Sequence, residues 1–548
     1  MLFRPFVIGL LLAGGAFAQI SSFPKPNYFR ETFQKTQTKV ELRAPVRLRD
    51  FLADGKLELS LKHYLELVMS NNTDVQIQML TIEVPKNNIL SQYGIWDPTA
   101  IASFNTTRST SIPTSATDAR STGAATKSLT QPYSLQYQQL LPTGTQYTLQ
   151  FSGAKSSQTN SFRSYNPSLT SGLQFSFSQP LIKNRGMYVN RIPLMQAQSN
   201  LKISEFQLRS QLLNLINTAE NAYWNVILAR ETLRVKEKAR DTANEYMKYM
   251  QQQLDLGALS PLDIYNPKAA LAAAEVDVSQ AKFALAQTED MLRKQIGADL
   301  DPDVRQMPIV LTEIVDLGAS ESLAVDREAS VQKALTINPS VQQATQKLDY
   351  DDLSIQSAKN GLLPNLALTA SYTSNGQGGI YYPGSSLVGG DPAIPIPGGI
   401  LDALGQMFGF GYPTYRAGLQ LTLPIRSRTA SAQMANAVVT KKTDALTLRT
   451  QQQSIRLNVL NAITGLEGSK ESLNLAIVQR DFSQKNADAM MEKYKLGAET
   501  NQNVIFAQRD LATAESGVVN AQVAVRKSLL NLLTQTGELL DTRGIVIK

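Results

Sequence analysis

The chain has 548 residues, with 53 basic against 46 acidic side chains, one histidine and no cysteine. The missing thiols exclude disulfides, thiol catalysis and cysteine-based metal sites. The net charge of +7 is spread along the chain with no clustered basic tract. That argues against nucleic acid as a partner and for a mixed, solvated surface.

Residues 1–18 carry Arg4, a short apolar run from Phe6 to Ala13, and the small-residue site Ala16-Phe17-Ala18. This is the pattern of a cleaved export signal, with the mature chain starting near Gln19. Residues 19–56 are expected to form an N-terminal periplasmic extension. No later stretch has the roughly 18 consecutive apolar residues of a transmembrane helix. An exported chain of this kind is either soluble or a β-barrel.

From residue 57 onward the predicted elements come twice. A helix is expected over 57–92, then a strand-rich segment over 99–179 that ends at Pro180. A long helix follows over about 193–255, then a turn, then a last helix over 262–296. After a linker at 298–326 the same grammar returns, with a helix over 327–360, strands over 365–424 ending at Pro424, a long helix over about 429–495 and a last helix over 502–536. The repeats are thus 57–297 and 327–537, and 538–548 form a tail.

Leu256-Gly257-Ala258 recurs as Leu496-Gly497-Ala498, 240 residues on, and residues 254–297 align with 494–537 without a gap. Leu271, Val278, Ala281 and Leu292 meet Leu511, Val518, Ala521 and Leu532, a spacing that repeats one helix face. Gly297 and Gly537 stand where C-caps belong. Upstream, Asn72-Thr73-Asp74-Val75 aligns with Asn338-Pro339-Ser340-Val341 at an offset of 266.

The long helices set the scale, because some 60 residues at 1.5 Å each give roughly 90 Å, about three times the hydrocarbon thickness of a bilayer. Leu208, Leu212, Leu215, Ala219, Ala222 and Val226 make a coiled-coil-like seam. In the strand segments, Leu173, Phe175 and Phe177 alternate with Gln174, Ser176 and Ser178, and Tyr147, Leu149 and Phe151 with Gln146, Thr148 and Gln150. Leu366, Leu368, Ala370 and Tyr372, and later Leu419, Leu421 and Leu423, repeat the habit. A soluble sandwich also alternates, but serine, threonine and glutamine as the inward set favour a wet lumen. Residues 105–130 and 374–415 read as polar external loops.

The duplicated layout, the SQPL segment from Ser178 to Leu181 and the two Leu-Gly-Ala turns together resemble the TolC-type outer membrane factor family. The resemblance covers about 57–537. It implies an α+β fold of duplicated helix–strand–helix units, assembled as a homotrimer: a transmembrane β-barrel in the outer membrane, continued by a long periplasmic α-helical barrel. The function implied is the exit duct of a multipartite efflux or type I secretion system. The implied partners are a periplasmic adaptor (membrane fusion) protein, an inner-membrane transporter and outer membrane lipid, with no cofactor, metal or catalytic residue.

The turns Leu256, Gly257, Ala258 and Leu496, Gly497, Ala498 would be tips that touch the adaptor. Gate residues transfer one by one. Asp263 follows the first turn glycine as the family's aspartate does, and Tyr494 precedes the second as its tyrosine does. A phenol donating to a carboxylate would be a charge-assisted bond, although Asp263 reads equally as the cap of the last helix beside Pro261. Glu499 stands where the family has a basic residue, and Asn503 and Phe506 where an acidic ring is expected, which weakens any cation preference. A surplus hairpin, about 133–141 and 145–153, goes beyond the family's two strands per half. The resemblance names no cargo, and a protein-secretion duct is the alternative within the class.

Readings from other classes fit less of the chain. The lone His63 has no neighbouring acid–serine set and no second histidine for a metalloprotease motif. Gly376, Gly378 and Gly379 are not followed by Lys-Ser or Lys-Thr, so they form no phosphate loop. A periplasmic enzyme or a structural coiled-coil protein leaves the alternating strands unexplained, and a plain porin leaves the long helices so.

Overall fold

The computed structural model describes residues 48, 52–53, 56–112, 125–159, 163–258, 260–298, 305, 307–313, 325–383 and 394–545. The expected export signal and most of 19–56 lie outside them. In chain order the elements are β1 (Leu52–Ala53), β2 (Lys56–Leu59), α1 (Leu61–Asn71), α2 (Thr73–Leu80) and α3 (Glu83–Tyr93). Then come β3 (Thr99–Phe104), β4 (Thr107–Ser111), β5 (Thr126–Leu140), β6 (Gln146–Gln158) and β7 (Tyr165–Pro180). The short α4 (Met187–Asn190) leads into α5 (Ile192–Asp255) and α6 (Tyr265–Gln295). After β8 (Ile309–Leu311) follow α7 (Arg327–Ile337), α8 (Pro339–Gly361), β9 (Asn365–Tyr381), α9 (Ile400–Phe408) and β10 (Pro413–Thr422). The chain continues as α10 (Arg428–Lys495), α11 (Asn501–Thr536) and α12 (Leu539–Thr542).

The long helices run 64 and 68 residues, roughly 95–100 Å each at 1.5 Å per residue. The first helix of each half, expected unbroken over 57–92 and 327–360, is interrupted at Asn72 and Asn338. Each asparagine leaves helical geometry, with ψ near 123°, and its side chain caps the next helix. Asn72 Oδ1 accepts from the Asp74 and Val75 amides, and Asn338 Oδ1 from the Ser340 amide. A short polar side chain that satisfies orphan amides favours such a break. Each also reaches the far end of its half: Asn72 Nδ2 donates to Gln295 O and Asn338 Nδ2 to Gln535 O, 3.0 Å in both. Residues 57–59, expected as helix, are strand; β2 pairs in parallel with β8 and antiparallel with β1 in a small sheet.

Among the described residues, seven strands form the second sheet, in the order β10-β9-β7-β6-β5-β3, with β4 also on β5. The surplus hairpin is β5–β6, longer than expected and set between β3 and β7. Residues 107–111 and 126–130, expected as loop, are paired strand. Their ladder is interrupted where Pro132, which has no amide to give, only accepts from Asn105 N. Residues 374–381 and 400–408, also expected as loop, belong to β9 and α9.

Register puts most apolar side chains of β5, β6, β7, β9 and β10 on one face, whereas Ile101 of β3 lies opposite, beside Gln136. Tyr137, Leu149, Phe175, Tyr372 and Tyr415 lie in one row; Leu135, Phe151 and Leu173 lie in the next. The opposite face is polar, with Gln136, Gln150, Gln174, Thr373 and Thr414 in one row. Leu135, Leu149, Phe175, Tyr415, Leu419 and Leu421 are exposed in the single chain. So large an apolar surface marks a face that meets lipid or protein.

One apolar core gathers Tyr64, Leu67, Leu212, Ile216, Tyr223, Leu292 and Ile296 around α1, α5 and α6. Another joins Val331, Val459, Ile463, Leu466 and Leu532 around α7, α10 and α11. No helix of the described residues is long and apolar enough to cross a membrane.

Candidate functional site: the paired turns

Each long helix ends at a glycine in the left-handed region, φ +73° at both Gly257 and Gly497. The Gly257 amide donates to Leu254 O and the Ala258 amide to Gln253 O, at 3.0 and 2.9 Å. Gly497 donates to Tyr494 O and Ala498 to Lys493 O, at 2.9 and 2.8 Å. This is the paired C-cap in which a left-handed residue lets two amides turn back onto the last carbonyls. The spacing places the turns where the sequence predicted them.

The two turns lie against each other. Tyr246, Met250, Ile264 and Val504 form a small buried core, joined by Tyr249, Met490 and Tyr494. The Tyr246 hydroxyl donates to Asn501 Oδ1 at 2.8 Å, and Asn501 Nδ2 donates to Asp263 O at 3.2 Å. Asn501 thus bridges both hairpins. Its need follows from Pro267. Having no amide, Pro267 cannot bond the carbonyl of Asp263 four residues back, so α6 starts at Tyr265 rather than at 262. The carbonyl left over takes its donor from Asn501.

The gate candidates divide between the two hairpins. Asp263 is exposed in the turn before α6. It does not cap that helix, whose N-cap residue, Ile264, makes no side-chain cap. The Tyr494 hydroxyl is half-buried and donates to Met250 Sδ at 3.2 Å rather than to a carboxylate within the chain. Burial raises its pKa above the ordinary phenol range, with smaller contributions from Tyr249 and the nearby Asp263 charge. Glu499 accepts from Asn503 Nδ2 at 2.6 Å, and Thr500 caps α11 through the Asn503 amide. Phe506 is half-exposed, and Leu256, Leu262, Tyr265 and Leu496 are more exposed still. The turns therefore present bulky apolar side chains beside carboxylates. The sequence reading missed Asn501 and Pro267; the pairing of Pro267 with Ala507 across the repeat was the available signal.

Away from the turns, Asp351 on α8 and Asp444 on α10 meet with 3% and 7% of their surfaces exposed. Lys347 Nζ donates to Asp444 Oδ1 at 3.0 Å. Burial pushes the Asp351 carboxyl up to about 6, reinforced by the charge of Asp444 and a hydrogen bond with it; Lys347 opposes this and Asp352 adds to it. Asp351 therefore keeps its proton to a higher pH than an ordinary aspartate does. His63 is exposed at the start of α1.

The chain matches the profile of a family described as outer membrane efflux protein, over residues 121–298 and 330–538. It is 22% identical over 345 residues to the toluene efflux pump outer membrane protein TtgC of Pseudomonas putida, covering 62% of this chain and 64% of that protein. It is 23% identical over 354 residues to the outer membrane protein TolC of Escherichia coli, covering 64% and 66%. These matches span just under two-thirds of either relative. The crystal structure of the Campylobacter jejuni CmeC outer membrane channel superimposes with a TM-score of 0.59 at 14% identity, over 92% of this chain and 91% of that one.

Proposed function

The chain belongs to the outer membrane efflux protein family, and on that premise we propose that it is the exit duct of a multipartite export system. It sits in the outer membrane and extends into the periplasm. The observation that carries the reading is the two-faced sheet: one register puts most apolar side chains of β5, β6, β7, β9 and β10 on one side and serine, threonine and glutamine on the other. That is the pattern of a barrel wall between lipid and water.

The duct is a homotrimer. Among the described residues β3 and β10 each pair on one side only, and unpaired edges call for a partner. Joining β10 of one copy to the β3 edge of the next closes a barrel of three times the six-strand path, 18 strands. The β5–β6 hairpin makes it wide enough for an aqueous lumen. The repeats 57–297 and 327–537 serve as its building units, and the α5–α6 and α10–α11 hairpins form the tunnel wall.

The turns at Leu256–Ala258 and Leu496–Ala498 are the tips. Their exposed leucines suit a periplasmic adaptor, through which an inner-membrane transporter supplies the energy. Asp263 gates the tip by bonding across to a neighbouring subunit. Glu499 and Asn503, bonded to each other, and Phe506 line a polar and aromatic constriction rather than a ring of carboxylates.

Electron microscopy of the detergent-purified protein tests the assembly. A three-fold tube reaching roughly 90 Å beyond the detergent belt is expected; a monomer, or a ring without the tube, overturns the reading. In planar bilayers Asp263→Ala is expected to raise conductance severalfold, and Tyr494→Phe less, since its hydroxyl gives up only a bond to sulfur. Unchanged conductance of a normally assembled Asp263→Ala protein removes the gate.

A further inference from the structure

The segment between β9 and β10 departs from the pattern of the rest of the sheet. On the apolar face, β9 carries Leu366, Leu368, Ala370 and Tyr372, and then Ser374, Gly376 and Gly378. The neighbouring β7 carries Phe177, Phe175 and Leu173, and then Ser171, which pairs with Gly376. Along β9 the outer third of this face is therefore a strip of small residues, flanked on β7 by Ser171 and then Leu169, and α9 lies on it. Ser171 Oγ donates to Ala403 O at 2.8 Å, and Ser374 Oγ donates to Met407 O at 2.6 Å. Both serines are buried, as are Ala403 and Met407 on the facing side of the helix. A Cβ on Gly376 would overlap the Ala403 carbonyl, and one on Gly378 the Gly399 carbonyl. The strip is shaped to seat the helix.

The outer side of α9 is apolar as well. Leu401 is 78% exposed, and Ile400, Phe408, Phe410 and Tyr412 are also exposed. Phe410 packs against Tyr372, which packs against Tyr415. The only charge on the helix, Asp402, is spent on the Gly399 amide at 2.7 Å.

Dimensions indicate what covers this surface. From Leu366 to Tyr372 is about 20 Å of strand, or roughly 15 Å along the axis of a barrel whose strands tilt near 40°. The lipid-facing belt of an outer membrane barrel is about 25 Å tall. Extending the face to Gly378 doubles its length to roughly 30 Å along the axis. The strip is too small and polar to supply the missing height, and α9 supplies it. Its level also matches the margin of the belt: Lys155, on the same face, pairs with Leu169, which pairs with Gly378. A lysine there stands at headgroup height.

We propose that α9 is an interfacial helix clamped to the outside of the barrel, completing its lipid-facing belt by inserting Ile400, Leu401 and Phe408 among the acyl chains of the outer leaflet. The proposal rests on the apolar face of the sheet being the lipid-facing one. A helix with one side fixed to protein and the other apolar lies in the plane of the interface. Here it anchors the barrel in depth at the end far from the long helices.

The chain has no cysteine, so single spin labels can be placed at will. Leu401→Cys, Phe408→Cys, Leu149→Cys on the mid-sheet apolar face and Ser176→Cys on the polar face are labelled and reconstituted in phosphatidylethanolamine–phosphatidylglycerol vesicles. Power saturation then compares collisions with oxygen, which concentrates in lipid, and with a water-soluble nickel chelate. Labels at 401 and 408 are expected to favour oxygen several-fold over the chelate, as at 149 and opposite to 176. If 149 favours oxygen while 401 and 408 favour the chelate, the helix lies in water and the proposal fails alone. Low collision with both reagents at 401 and 408 means that protein covers the helix, and overturns it equally. A label at 149 that meets the chelate sinks the barrel reading itself.

Discussion

The first and second turns reach the same left-handed glycine through the same pair of backbone bonds, yet α6 starts at Tyr265 and α11 at Asn501, four residues earlier in repeat register. At the second turn Thr500 caps the helix and Ala507 lets it run on. At the first, Pro267 stops the helix from starting early and leaves the Asp263 carbonyl exposed to a foreign donor. The difference teaches that duplication kept the backbone device and changed the side chains, so that two turns in one chain interlock rather than merely repeat. Two identical turns would have no donor for the carbonyl that Pro267 leaves over.

The same contrast runs through the helical part. Asp351 and Asp444 correspond, at offsets of 266 and 240, to Pro85 and Ser204 in the first half. Both of those residues line one groove beside Pro193 and Tyr350. The second half thus carries a carboxylate pair where the first carries none.

The largest expected effect bears on the interlock. Asn501→Ala leaves the buried Tyr246 hydroxyl without its acceptor and the Asp263 carbonyl without its donor, at about 2–3 kcal/mol of local stability. Pro261→Ala, at the matching place in the first turn, is exposed and is expected to stay within about 0.5 kcal/mol. Hydrogen exchange over 246–265 and 494–505 reads both, and equal effects would break the contrast between the turns.

Next in size is the carboxylate pair. The Asp351 pKa is raised to about 6 in the folded state, so the folded chain holds a proton that the unfolded chain releases near pH 4. Its contribution to stability is therefore complete below about pH 4 and is lost as pH rises toward 6 and beyond. Asp351→Asn is expected to flatten this slope and to raise stability at pH 7.5 by roughly 1–2 kcal/mol, measured by thermal unfolding at 222 nm across pH 4–8. Pro85→Asn in the first half is expected to leave the slope in place. A slope that survives in Asp351→Asn assigns it to other groups.

The smallest effect concerns what the halves share. Gly257→Ala and Gly497→Ala each force a Cβ into the left-handed region, but no neighbour stands within 4 Å of that position. Each is expected to cost about 1 kcal/mol, and by equal amounts. Unequal costs would mean that one turn bears a load the other does not.

What the sequence determined by itself is whatever a short window dictates. Heptad-like spacing located α5 and α10 to within a residue or two, because a helix makes its hydrogen bonds within four residues. The turn glycines could be read because the αL region excludes most other residues. Alternation fixed which strand residues share a face, because the pleat has period two. The tertiary structure decided the rest. The place of the β5–β6 hairpin inside the sheet depends on which edges meet. The seat of α9 depends on Ser171, more than two hundred residues away in sequence, and local composition had disguised the helix as loop. The late start of α6 needed Pro267 and Asn501 together. The Asp351–Asp444 pair lies on helices whose own periodicity treats both as ordinary surface carboxylates, and only the packing of α8 against α10 buries them.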